Sequence, residues 1–208
     1  MEMNFSFSIP IKRVKDYIVS NKKLYLLCFV VILVGVFLGV YLVLNEFMEE
    51  NIYTRTDLTL SEIILGERSF FSLFFSNLAT LLVPIIIIFA LYTNKYTKIL
   101  TYFYLAYQGL LLGASITSLI SEYGLGGALN ALIIVIPINL VNFFVVVSML
   151  VVSYKRFKIA KLQRLSFGYS LKLFLMQYIG ILVGAIFASL VYALLYPIIL
   201  RTSVVVTT

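Results

Sequence analysis

Five long stretches of this chain carry no charge at all: Leu24–Leu44, Phe70–Tyr92, Ile99–Ile120, Ala128–Tyr154 and Leu173–Leu200. A hydrocarbon core about 30 Å thick is crossed by roughly 20 helical residues, and each stretch is long enough to do so. Soluble domains do not need so many uninterrupted apolar runs. A hydrophobic content of 62% and a mean hydropathy of +1.06 over 208 residues agree with that reading. The sequence therefore specifies an all-α fold: a polytopic membrane bundle of five transmembrane helices.

The placement of basic residues sets an orientation. Lys12, Arg13, Lys15, Lys22 and Lys23 precede the first span, Lys95 and Lys98 follow the second, and Lys155, Arg156, Lys158, Lys161, Arg164 and Lys172 follow the fourth. The alternate loops hold only Arg55, Arg68 and Arg201. Short loops rich in Lys and Arg stay in the cytoplasm, which predicts an N-terminus inside and a C-terminus outside. The expected organisation is a basic cytoplasmic segment over 1–23, a transmembrane domain over 24–200 with an outer loop at 45–69, and a short outer tail over 201–208.

The net charge of +7 has the same origin. Basic flanks beside spans meet anionic membrane lipids, and no basic patch interleaved with aromatics or zinc-finger spacing points to nucleic acid. The first span is too long for a signal-peptide core, and Val43, Leu44, Asn45 and Glu46 offer no small-residue cleavage site. It reads as an uncleaved anchor. Cys28 is the sole cysteine and there is no histidine, so no intramolecular disulfide, cysteine cluster, metal site or cofactor is expected. Without a paired carboxylate, an activated nucleophile or a phosphate-binding glycine loop, no catalytic residues are expected either.

Two segments outside the spans invite short surface helices. After Pro10, Ile11, Val14 and Ile18 share one helical face while Lys12, Arg13 and Lys15 lie elsewhere, the pattern of an interfacial helix; a disordered basic tail is the alternative. In the outer loop, Thr59-Leu60-Ser61-Glu62 has capping-box spacing. The same loop gathers Glu46, Glu49, Glu50, Asp57, Glu62 and Glu67, so Glu46, Glu49 and Glu50 are candidates for docking a partner.

Within the spans, small residues recur every four positions. Gly35 and Gly39, Gly109 and Gly113, and Gly180 and Gly184 each clear a stripe along which another backbone can approach. These six glycines are expected in helix–helix packing, either inside the bundle or against a partner, which includes a second copy in a homo-oligomer. Polar residues also enter the spans: Asn77, Gln108, Asn139 and Asn142, with Pro84 and Pro137 as helix breakers. They suit either hydrogen bonds that fix the bundle or a polar pocket at mid-membrane. Ion-coupled transport usually adds an ionisable group, and the spans contain none.

The run Gln108-Gly-Leu-Leu-Leu-Gly-Ala-Ser, then Glu122-Tyr-Gly-Leu-Gly-Gly-Ala-Leu, then Ile136-Pro-Ile-Asn-Leu140 resembles the stage II sporulation protein M family of integral membrane proteins. Lys23-Leu-Tyr-Leu before the first glycine pair and Tyr196-Pro-Ile-Ile at the end of the last span are similar to its sporulating branch. The chain departs from the broader family around Pro137, where Ile138, Asn139 and Asn142 replace a His-Gly and a Glu, and from the sporulating branch where Ile138 replaces Gln. The resemblance implies a non-enzymatic scaffold in the bacterial cell membrane. It implies recruitment of peptidoglycan hydrolases of the stage II D and P type during engulfment. A channel or permease-like exporter subunit is the alternative function.

Overall fold

A computed structural model describes residues 16–45, 69–94 and 96–207. Their regular structure is entirely helical. Five main helices follow in order: α1 (Lys22–Leu44), α2 (Phe70–Leu91), α3 (Leu100–Asn130), α4 (Ile136–Gln163) and α5 (Phe167–Thr207). Among the described residues, five helices are long and apolar enough to cross a membrane, and the five-helix membrane bundle is the fold. Outward faces are apolar, with Leu26, Phe37, Ile86, Phe103 and Phe187 all exposed, as lipid contact requires.

Local sequence explains where these helices start and turn. Ser69 begins α2 by accepting the Ser72 N–H on its Oγ at 3.3 Å, which satisfies one of the free donors of the first turn. The helical segment 16–20 precedes α1 and breaks at Asn21, whose Nδ2 donates back to the Tyr17 carbonyl at 2.6 Å. The reversal after the third span falls on Gly124, at φ 56 and ψ −128, a conformation open to glycine alone in practice. A π turn over Ala131–Val135 joins helical backbone on both sides without a break, so Pro137 lies inside the fourth span. The wider turn gives room for the proline ring, which crowds the carbonyl four residues back. Asn139 Nδ2 also donates to the Val135 carbonyl at 2.8 Å. Leaving α4, Arg164 takes the left-handed conformation at φ 51, and the Leu165 N–H reaches back to Ala160 O at 3.0 Å.

The helices pack as a pair and a trio. α1 lies along α3, while α2, α4 and α5 pack on one another. The core between them runs through Cys28, Ile32, Leu81, Ile88, Leu105 and Leu150. Segment 16–20, the end of α2 and the second half of α4 meet at one end of the bundle: Lys155 Nζ sits 4.2 Å above the Tyr17 ring, and the Tyr92 and Tyr154 rings meet edge to face at 6.4 Å.

Candidate functional site

The contact between α1 and α3 is built from glycine. A Cβ placed on Gly35 would overlap the carbonyl of Ala106, and one on Gly39 the carbonyl of Leu110. Reciprocally, a Cβ on Gly109 would overlap Ile32 O and one on Gly113 would overlap Val36 O. Partner numbers rise together along both helices, so α1 and α3 cross in parallel with their glycine pairs facing each other. Backbone meets backbone there, where dispersion and Cα–H···O contacts replace the hydrophobic effect that lipid cannot supply.

The third glycine pair behaves differently. Nothing lies within 4 Å of a Cβ built on Gly180 or Gly184, so among the described residues no other helix packs on these two, which leaves the alternative of packing against a partner. The reason is the rotation of α5. Phe174, Tyr178, Ala185, Ala188 and Ser189 turn inward, which leaves the glycines on another face. That face borders a 560 Å³ groove among segment 16–20, α1, α4 and α5, also lined by Tyr25, Phe144, Ser148 and Gln177.

The polar residues of the spans do not form one site. Asn142 Nδ2 donates to Asn77 Oδ1 at 3.2 Å, and Asn77 Nδ2 donates to Ser189 Oγ at 3.2 Å. Ser189 Oγ donates to the Ala185 carbonyl at 2.9 Å, which closes the chain. This links α4, α2 and α5 through the buried Asn77 and Ser189 and the half-buried Asn142. Gln108 Nε2 instead donates to the Tyr104 hydroxyl of its own helix at 2.7 Å, and Asn139 is bonded to its own backbone. Asn139 and Asn142, three apart in sequence, thus serve separate ends. Glu46, Glu49 and Glu50, like the capping box at Thr59, lie outside the described residues.

Arg156 is the residue that sequence reasoning missed. Grouped with the basic loop, it is in fact only 3% exposed. Its guanidinium carbon lies 4.8 Å from the Phe89 ring centroid, 4.9 Å from Phe167 and 6.0 Å from Tyr178. The signal was helical phase: Met149, Val152 and Ser153 are buried, and Arg156 continues their stripe at steps of three and four.

Compared with known proteins, the chain matches no family model, no curated protein and no solved structure.

Proposed function

We propose that this chain is a non-enzymatic scaffold of the bacterial cell membrane, oriented N-in and C-out, that recruits or localises peptidoglycan hydrolases. Engulfment during endospore formation is its setting, with proteins of the stage II D and P type as partners; these specifics rest on the sequence resemblance. The observation that carries the scaffold reading is the closed chain Asn142–Asn77–Ser189–Ala185. Amide groups bonded to one another across three helices hold a bundle in one arrangement. A conducting path or exporter subunit would need such groups free to face water or substrate. With the bundle fixed, recognition falls to the outer loop, where Glu46, Glu49 and Glu50 attract a basic partner surface.

Affinity purification of the tagged chain from native membranes tests this reading. Wall hydrolases should co-purify, and replacing Glu46, Glu49 and Glu50 together by Gln should reduce capture most at low salt. Recovery of an ATPase in their place would support an exporter subunit and overturn the scaffold.

A further inference from the structure

Arg156 is buried with nothing described to balance it. The rings of Phe89, Phe167 and Tyr178 favour a cation but accept no conventional hydrogen bond. Arg156 Nη1 is buried with no hydrogen-bond partner among the described residues, and the buried Ser153 Oγ and Tyr178 hydroxyl lie near enough to interact with each other but have no further partner there. They form one cluster: Ser153 and Arg156 are three apart on the same face of α4, and Tyr178 lies beside both. Asp16 is exposed on segment 16–20. A buried cation and two buried hydroxyls left in this state are costly. Whichever hydroxyl donates to the other, the second hydroxyl and Arg156 Nη1 keep unspent donors, so what the cluster lacks is an acceptor bearing negative charge and several lone pairs.

We infer that this cluster binds the phosphate of an anionic phospholipid. A guanidinium matches phosphate with paired donors, and the hydroxyl with an unspent donor adds a further bond to the same oxygens. The depth is right, because Arg156 follows Tyr154, the last residue of the charge-free run, by less than one turn. A place for the lipid tail adjoins it. A 230 Å³ groove between α2, α4 and α5 is lined by Ile85, Met149, Leu175 and Leu182 together with Phe89 and Tyr178, two of the rings around Arg156. Headgroup site and apolar groove therefore share a wall. Phe167, half exposed in the first turn of α5, is the ring that an entering headgroup moves aside. Lys155, Lys158 and Lys161 on α4 and Lys172 on α5 raise the local concentration of anionic lipid around the entrance. This inference is independent of the scaffold reading.

The test uses the full chain, delipidated in detergent and then offered phosphatidylglycerol, phosphatidylcholine of the same acyl chains, or inorganic phosphate. Retained lipid is counted by native mass spectrometry. Phosphatidylglycerol should be held about tenfold more tightly than phosphatidylcholine, and Arg156→Gln should remove that preference, whereas Lys161→Gln should leave most of it. Should Arg156→Gln fail to fold, Leu182→Trp decides the matter, since Leu182 is exposed and a larger side chain fills the groove while leaving Arg156 and Ser153 unchanged. That variant should lose phosphatidylglycerol while keeping its helical content. Equal retention of the two lipids by the unaltered chain, or undiminished phosphatidylglycerol in either variant, overturns the inference. Saturation by inorganic phosphate without any lipid preference overturns the lipid as its source.

Discussion

Asn142 on α4 donates to the side-chain oxygen of Asn77 on α2 at 3.2 Å, and Asn77 spends its own amide hydrogens on Ser189 of α5. Asn77 is thus the middle link of a bond chain across three helices and is itself buried. Asn77→Ala should cost about 1–3 kcal/mol, because it strands the Asn142 donor in an apolar interior. Asn142→Ala should cost less, since Asn77 keeps its bond to Ser189. A double-mutant cycle, read from thermal unfolding in detergent, should give a coupling of about 0.6–1.7 kcal/mol. Strict additivity would mean that the two amides do not meet.

The glycine pairs make a paired prediction. Gly113→Leu must push the Val36 backbone away from α3, at a cost of about 1–3 kcal/mol or more, with lower expression and a lower Tm. Gly35→Leu should act alike through Ala106. Gly184→Ala meets open space, so the better helix propensity of alanine should leave stability unchanged or raise it by about 0.5–1 kcal/mol. Equal losses at Gly113 and Gly184 would show that a second protein, or a second copy, covers α5.

The sequence made the spans legible because crossing lipid demands length and apolarity at once, and few other constraints leave so plain a trace. It marked Gly35, Gly39, Gly109 and Gly113 as places of close approach for a similar reason, since glycine at four-residue spacing has little other use, but which helix each meets was not legible. The same spacing at Gly180 and Gly184 shows that a backbone could approach and not which one, and no helix among the described residues does so. Only the phase of Phe174, Tyr178 and Ala185 reveals which way α5 turns. Arg156 was hidden by its company among exposed lysines. The left-handed turn at Arg164 carried no signal at all, since neither glycine nor asparagine stands there.

Orientation is open to direct labelling. In a Cys28→Ser background, a cysteine at Ser203 should react with an impermeant maleimide in intact cells, while one at Ser8 should react only after lysis. The expectation rests on the crowding of Lys and Arg before the first span and after the second and fourth. The reverse pattern would invert the bundle and put the buried Arg156 cluster on the outer side.

Tyr17 supplies a pH prediction outside the spans. Burial against the bundle pushes its phenol above the ordinary 10.0, with the nearby Tyr25 and Tyr178 hydroxyls adding to the shift. The folded protein therefore holds this proton more tightly than the unfolded chain does. The contribution is fully present below pH about 10 and is lost as pH climbs from there toward the raised value, because only the unfolded chain gains by ionising. Segment 16–20 docks through Tyr17, on whose ring Lys155 Nζ rests at 4.2 Å, so its release should accompany that loss. Unfolding temperatures measured from pH 8 to 12 should fall less steeply for Tyr17→Phe than for the unaltered chain. The phenylalanine ring keeps the cation contact and the buried surface but has no proton to give up. Identical slopes for the two proteins would show that Tyr17 ionises freely and that segment 16–20 is not held against α4 through this ring.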